Sequence, residues 1–189
     1  MKNLRFFSSA LMLAAFFGRL TFGFTVDKKT SREIDAGIGK IGPEIIGLRR
    51  QLHMNPELGN REVKTAELLS SKLRSLGLEV KTGVAGTGVV GLLRGGSEGP
   101  TIAVRADMDA LPIEEQTGLE YQSRNKGVMH ACGHDVHMSV VLGTAYVLSG
   151  LRDRLQGNIK FIFQPAEEGP PAGEEGGASL MIKENVLED

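Results

Sequence analysis

The clearest β-strand in the sequence is the segment Asn158-Ile159-Lys160-Phe161-Ile162-Phe163, where β-branched and aromatic residues surround a single lysine. A short apolar run of this kind is typical of a strand inside a folded domain. The chain continues as Gln164-Pro165-Ala166-Glu167-Glu168, and residues 165–177 are rich in proline and glycine. This composition predicts a loop. The two glutamates therefore follow the end of a strand, which is where open α/β sheets bind their ligands.

Working toward the N-terminus, a helix is predicted from Ser31 to His53, because isoleucine and leucine recur there at steps of three and four. Thr30 and Glu33 have the spacing of a capping box at its start. Gly42-Pro43 is expected to break this helix into two pieces.

The remaining periodicity predicts two more helices and three more strands. The helices are Glu62–Leu76 and Met138–Leu151, and the strands are Leu78–Thr82, Thr87–Leu93 and Thr101–Arg105. This order of elements indicates an α/β fold, a layered domain in which helices cover both faces of the sheet.

Composition excludes several classes of protein. The 189 residues carry 22 basic and 23 acidic side chains, a net charge of −1, so binding to nucleic acid through phosphate neutralisation is not expected. A single cysteine rules out an intramolecular disulfide framework.

The N-terminus has the pattern of an export signal. Lys2 and Arg5 precede an apolar stretch from Phe6 to Gly18, too short to span a bilayer. Residues 1–23 are predicted to be a signal peptide and residues 24–189 the mature chain, which would be periplasmic or secreted. An uncleaved N-terminal anchor is the alternative; no stable membrane span is expected.

Three of the four histidines and the only cysteine lie in the run His130-Ala131-Cys132-Gly133-His134-Asp135-Val136-His137. A thiolate and an imidazole on either side of a glycine can reach one atom, because glycine permits a sharp turn between them. Capping of a helix by these residues is the alternative. Four potential ligands in eight residues favour a metal site.

Acidic residues supply two further candidate groups. Glu167 and Glu168 are adjacent, so their side chains diverge, and one is suited to bind a metal while the other moves protons; an ordinary acidic loop is the alternative. Asp107 and Asp109 end another predicted strand, where they could ligate a cation, orient a histidine or cap a turn. His53 is interpreted as a structural residue at a helix C-terminus.

Taken in order, four segments resemble the metal-dependent amidohydrolase and peptidase family of aminoacylases, hippurate hydrolases and auxin-conjugate hydrolases. They are His53-Met54-Asn55-Pro56-Glu57-Leu58-Gly59, Arg105-Ala106-Asp107-Met108-Asp109-Ala110-Leu111-Pro112, His130-Ala131-Cys132-Gly133-His134-Asp135 and Gln164-Pro165-Ala166-Glu167-Glu168. The resemblance implies a zinc-peptidase-like catalytic domain, with a mixed sheet flanked by helices on both faces.

The resemblance also implies roles for individual residues. Cys132, His134 and Glu168 match the family's metal ligands, Glu167 matches its general base, and Asp109 falls in a catalytic segment that supports the metal centre. The implied cofactor is a divalent metal, zinc or manganese and possibly two ions. The implied substrate is a small N-acyl amino acid or peptide, whereas the oligomeric state is not specified.

Family members are longer, and they contribute further histidine ligands where this chain has none after His137. The chain is therefore expected to be the N-terminal part of the catalytic domain, truncated before the lid domain, and the isolated chain to be inactive. A non-catalytic metal-binding fragment is one alternative function. A cysteine hydrolase with Cys132 as nucleophile is another, but it leaves the paired glutamates unexplained.

Overall fold

The computed structural model describes residues 26–188, and the predicted signal peptide lies outside them. The described residues form four α-helices, one short 3-10 helix and one four-stranded sheet. In chain order these are α1 (Lys28–Met54), α2 (Val63–Ser75), β1 (Glu79–Val84), β2 (Gly88–Arg94), β3 (Ser97–Asp107), α3 (His134–Ser149), the 3-10 helix Arg152–Arg154, β4 (Gln156–Gln164) and α4 (Gly177–Lys183).

The sheet is mixed, with the strand order β1-β2-β4-β3. β2 pairs antiparallel with β1 and with β4, whereas β3 and β4 are parallel. Asp107 at the end of β3 is paired in register with Gln164 at the end of β4. The parallel pair therefore delivers its two following loops to the same edge of the sheet.

Helices pack on both faces of this sheet, as predicted. On one face α1, α2 and α3 enclose a core that includes Leu52, Leu69, Met138 and Phe161. On the other face a smaller cluster joins Val84 and Ile162 to Met181 and Val186, which belong to α4 and the turn after it. Because the two clusters lie on opposite sides of β4, its central residues are buried on both faces.

The start and the middle of α1 differ from the sequence-based prediction. The helix begins at Lys28 and is capped by Asp27, whose Oδ1 accepts hydrogen bonds from the backbone N–H groups of Lys29 and Thr30, so the predicted Thr30 capping box is wrong. The predicted break at Gly42-Pro43 is also wrong, because α1 runs through Pro43 without interruption. Ile41 before Pro43 and Leu48 after it are both buried, and this burial offsets the roughly 3 kcal/mol that an interior proline costs.

α3 starts four residues earlier than predicted, directly after Gly133. Gly133 has a φ of 110°, a left-handed conformation that is strained for other residues. The chain turns there, so Cys132 lies before the helix and His134 is its first residue. Among the helices within residues 26–188, none combines the length and the hydropathy that a membrane crossing requires.

Candidate metal centre

The candidate site lies where three segments meet at one edge of the sheet. Residues 107–109 lie at the end of β3, residues 164–168 lie at the end of β4, and His134 begins α3. A hydrogen bond of 2.9 Å from the backbone N–H of Met108 to the carbonyl oxygen of Gln164 ties the first two segments together. The parallel pairing of β3 and β4 is thus what brings the two acidic motifs of the sequence next to each other.

Cys132, His134 and Glu168 converge at this edge. One donor atom from each of the three residues lies within 4.8 Å of the other two. His134 Nε2 is 3.7 Å from Glu168 Oε1. His134 is buried, whereas Cys132 and Glu168 are accessible from solvent. The cluster is therefore accessible from solvent on the side of Cys132 and Glu168.

These three side chains fit a divalent metal. Thiolate, imidazole and carboxylate are all ligand types that proteins use for zinc, and donor atoms around a tetrahedral zinc lie about 3.3–3.8 Å apart, because the bonds are about 2.0–2.3 Å long. The separation of His134 Nε2 and Glu168 Oε1 falls in this range. The same donors also accept other divalent first-row metals, so the site chemistry does not select zinc over manganese.

His134 is oriented by Asp109. Its Nδ1 lies 2.8 Å from the backbone carbonyl oxygen of Asp109, to which it donates, and 3.4 Å from Asp109 Oδ1. Burial lowers the pKa of His134, but the contacts and the charge of Asp109 outweigh burial and raise the pKa to about 9. With Nδ1 occupied, Nε2 is the nitrogen that faces the glutamates and is left to bind a metal.

Asp109 also fixes the second motif. It is almost completely buried, and its Oδ2 accepts a hydrogen bond of 2.9 Å from the backbone N–H of Glu168. Burial raises the pKa of Asp109, but the interactions with His134 and with the amides of Glu168 and Glu167 lower the pKa by more than burial raises it, so the net shift is downward. Asp109 therefore lies behind the cluster as a buried anion that holds both His134 and Glu168.

Glu167 lies at the rim of the cluster. Its Oε2 is 3.7 Å from His134 Nε2, and its side chain is 39% exposed. Glu167 and Glu168 thus approach the same imidazole nitrogen from one turn.

Cys132 is exposed and carries a free thiol. A hydrogen bond with Glu168, together with burial and the charges of Glu168 and Glu167, raises the pKa of this thiol. The carboxylates thus keep the thiol protonated in the absence of a cation. A divalent cation reverses this effect and favours the thiolate that would bind it.

A second group of potential ligands shares His134. Donor atoms of Asp107, His134 and His137 also lie within 4.8 Å of one another. The sequence motif contains His137 without identifying it as a ligand, and it identifies Asp107 only as one of two acids. Because His134 Nδ1 is held by Asp109, the single remaining nitrogen cannot serve a separate ion in each group. Asp107 is in addition held by Arg105 at 2.5 Å.

His53 takes part in a buried polar network beside the cluster. Its Nδ1 lies 2.8 Å from Oδ2 of Asp135 and its Nε2 3.2 Å from Oε1 of Glu115. Arg49 pairs with the same Asp135 oxygen at 2.9 Å. The interpretation of His53 as a structural residue from its place near a helix end did not predict these partners, which lie 62 and 82 positions away.

His130 is buried, and neither ring nitrogen has a hydrogen-bond partner among the described residues. Burial lowers its pKa to about 4, although the charge of Asp135 opposes this shift. The ring is therefore neutral. The structure does not bring His130 into either group of potential ligands.

The fold, a mixed sheet with helices on both faces, is that of a metallopeptidase-like catalytic domain. Residues 103–189 match the model of peptidase family M20/M25/M40. The resemblance inferred from the four motifs is thus confirmed.

Curated relatives agree with this assignment. The chain is 51% identical to thermostable carboxypeptidase 2 of Saccharolobus solfataricus over 76% of its own length and 36% of the relative's. It is 47% identical to the N-acetyl-L-cysteine deacetylase of Bacillus subtilis, over 77% and 34% of the two chains. It is 43% identical to the N-acyl-L-amino acid amidohydrolase of Geobacillus stearothermophilus, over 84% and 42%. The chain thus spans about a third to two fifths of the length of these relatives.

Solved structures show the same architecture. A dinuclear metal-binding peptidase of the M20 family from Bacillus subtilis is 42% identical, with a TM-score of 0.73 over 79% of this chain and 41% of that one. An aminobenzoyl-glutamate utilization protein from Klebsiella pneumoniae is 27% identical, with a TM-score of 0.66 over 83% and 44%. The predicted fold class, a mixed sheet flanked by helices, is thereby confirmed.

Proposed function

We propose that this chain is the part of a metal-dependent hydrolase that carries the general base and three metal ligands. The enzyme cleaves the amide bond of N-acyl amino acids or of short peptide-like amides. The observation that carries the proposal is the convergence of Cys132, His134 and Glu168 within 4.8 Å. The relatives named as carboxypeptidase, deacetylase and amidohydrolase support this substrate class.

The proposed ligands are Cys132, His134 and Glu168, and the ion is zinc or manganese, alone or as a pair. When bound, a divalent ion polarises the scissile carbonyl and makes water more acidic, which is the chemistry that amide hydrolysis lacks in neutral water. The similarity to the dinuclear metal-binding peptidase of Bacillus subtilis supports a site for two ions.

Glu167 is the proposed general base. Its carboxylate lies 3.7 Å from His134 Nε2 and is accessible to water. It takes a proton from the attacking water and delivers it to the leaving nitrogen, a role that contributes about 10²–10⁴ in rate. The proposed role of Asp109 is indirect, because it orients the ring of His134 and the backbone of Glu168 through hydrogen bonds.

The experiment is an assay of amino-acid release from N-benzoylglycine and N-acetyl amino acids. The enzyme of which this chain is the proposed part is stripped of metal with a chelator and then reloaded with Zn²⁺ or Mn²⁺. We expect turnover to disappear on stripping and to return on reloading. Full turnover after complete metal removal would contradict the proposal.

A non-catalytic metal-binding fragment is the second candidate. It is favoured by the ligand set, because the described residues bring three side chains, Cys132, His134 and Glu168, to the proposed site. It predicts that the 189-residue chain binds a divalent ion but releases no amino acid from any of these substrates. Turnover by that chain alone excludes it.

The charges around Cys132 disfavour a cysteine hydrolase. Glu168 and Glu167 raise the pKa of the Cys132 thiol, whereas a nucleophilic cysteine needs its pKa lowered.

Export is a further proposal, supported by Lys2, Arg5 and the apolar stretch from Phe6 to Gly18. We expect N-terminal sequencing of the secreted or periplasmic protein to begin near residue 24. An intact Met1 on exported material would contradict cleavage.

A further inference from the structure

The turn that carries both glutamates has an unusual backbone. Ala166 has a φ of 47°, in the left-handed region that residues with a Cβ rarely adopt, and it is almost completely buried. Glu167 and Glu168 follow directly, so the direction of both carboxylates depends on this one strained residue. A backbone in this region persists only where surrounding contacts enforce it.

One of these contacts comes from Glu62. Its Oε1 accepts a hydrogen bond of 2.8 Å from the backbone N–H of Ala166, across 104 positions of sequence. Its Oε2 accepts one of 2.6 Å from Thr87 Oγ1. Glu62 has 0% exposure and precedes α2, but its side chain makes no capping hydrogen bond to that helix. The carboxylate therefore serves the turn and not the helix beside it.

The turn is held from the other side by Asp109, which accepts the N–H of Glu168. The amides of residues 166 and 168 are thus each bound to a buried carboxylate, with Glu167 between them. The segment before Glu62 also packs closely on the turn. A Cβ added at Gly59 would lie 3.0 Å from the carbonyl oxygen of Gly169 and 3.1 Å from the Cα of Ala166.

A carboxylate buried at a position that only fills space would destabilise the fold, because it loses its hydration. Burial raises the pKa of Glu62, and the hydrogen bonds from Thr87 and from the amide of Ala166 offset this only in part. An apolar side chain of similar size would avoid that cost, but it could not accept the N–H of Ala166. The acceptor is what distinguishes glutamate here.

We propose that Glu62 is a positioning residue that fixes the Ala166 turn, so that Glu167 and Glu168 face His134. This proposal rests on the proposed function, in which Glu168 binds the metal and Glu167 is the base. Glu62 itself touches none of the reacting groups; it acts through the backbone of Ala166.

The test compares Cd²⁺ binding by the full chain and three variants. Binding is monitored by the thiolate absorption of Cys132, in competition with a chelator. Glu62→Leu removes the acceptor, whereas Glu62→Gln keeps an oxygen for Ala166 and can donate to Thr87 Oγ1. Glu57→Ala is the matched control, because Glu57 accepts hydrogen bonds from the amides of Lys64 and Thr65 at the start of α2 and does not contact the turn.

We expect Glu62→Leu to bind Cd²⁺ about 10- to 100-fold more weakly, the usual cost of losing a residue that orients a ligand. We expect Glu62→Gln to stay within about threefold of the wild-type affinity, since it retains the acceptor. Glu57→Ala should lose stability without losing affinity. Equal affinity in Glu62→Leu and the wild type, or an equal loss in Glu57→Ala and Glu62→Leu, overturns the proposal.

Amide hydrogen exchange provides a measurement that needs no metal. In the wild type and Glu62→Gln it can be made even if Glu62→Leu does not fold. In the wild type the N–H of Ala166 should be strongly protected, and in Glu62→Gln it should remain so. In folded Glu62→Leu the N–H of Ala166 should lose its protection, and the protection of the N–H of Glu168 should fall as well. An unprotected Ala166 amide in the wild type overturns the proposal, whereas failure of the wild type to bind Cd²⁺ counts only against the proposed function.

Discussion

Asp109 and His134 are joined through the backbone carbonyl of the aspartate, which lies 2.8 Å from the imidazole Nδ1. The carboxylate of the same aspartate is turned toward the other motif and accepts the N–H of Glu168. One buried residue thus orients two of the three proposed ligands. This gives an acid just after β3 a place in the proposed site, although it is not in either group of potential ligands.

Removal of the Asp109 carboxylate should therefore weaken metal binding. We expect Asp109→Ala to reduce Zn²⁺ affinity by about 10- to 100-fold, because Glu168 loses the acceptor that fixes its backbone. Asp109→Asn, which keeps an oxygen for the N–H of Glu168, should lose less. Isothermal titration measures both, and Asp153→Ala, an exposed acid near the opposite end of β4, is the control. Unchanged affinity in Asp109→Ala would contradict the role assigned to it.

Glu167→Ala should reduce turnover by about 10² or more, since the reaction loses its general base. Metal affinity should change little, because Glu167 is outside both groups of potential ligands. Glu175→Ala removes an exposed acid of the same loop, one that pairs with Lys183, and should leave turnover unchanged. The measurement is amino-acid release by the metal-loaded protein in which the wild type is active. Full activity in Glu167→Ala would favour a cysteine hydrolase over the metal mechanism.

The pKa of Glu62 predicts a pH-dependent difference in stability between the wild type and Glu62→Gln. Burial raises this pKa in the folded state. The contribution of the glutamate to stability is therefore complete at pH values below the pKa of the unfolded state, and it is lost as pH rises through the pKa of the folded state. The neutral glutamine has no such loss. We therefore expect the stability of Glu62→Gln relative to the wild type to improve from about pH 4 toward about pH 7 in urea unfolding. A difference that moves the opposite way would show that the folded pKa is lowered.

His53→Ala should destabilise the fold by about 3 kcal/mol, because it leaves the buried carboxylates of Asp135 and Glu115 short of a partner. Urea unfolding measures the change. Lys72→Ala, which removes an exposed ion pair with Glu44, should cost less than about 1 kcal/mol. Equal effects of the two substitutions would mean that the His53 network contributes no more than a surface pair.

Local patterns were sufficient to predict α1, α2, α3 and the four strands, whereas α4 (Gly177–Lys183) was not predicted. The strand around Phe161 and the helix around Leu69 follow from short-range periodicity and glycine positions, and both formed close to their predicted bounds. Periodicity failed at Pro43, where burial on both sides of the proline outweighs its local cost. It also missed the first turn of α3, because Gly133 ends the preceding loop only by virtue of its left-handed backbone.

The candidate site was predictable where ligand types cluster in sequence, as around Cys132. It was not predictable where the partner is distant. The contact of Glu62 with Ala166 spans 104 positions, and that of His53 with Asp135 spans 82. Nothing near Glu62 in sequence distinguishes it from a surface glutamate. The carboxylate of Glu62 reaches Ala166 only because the folded chain packs α2 and β2 against the turn after β4.

The most direct measurement of the central claim is a Cd²⁺ titration of the full chain, followed by thiolate-to-metal charge-transfer absorption. We predict saturable binding with a thiolate signal that is abolished in Cys132→Ser and strongly weakened in His134→Ala and Glu168→Gln. A thiolate signal that is unchanged in both His134→Ala and Glu168→Gln, or the absence of any signal in the wild type, would contradict the shared metal site.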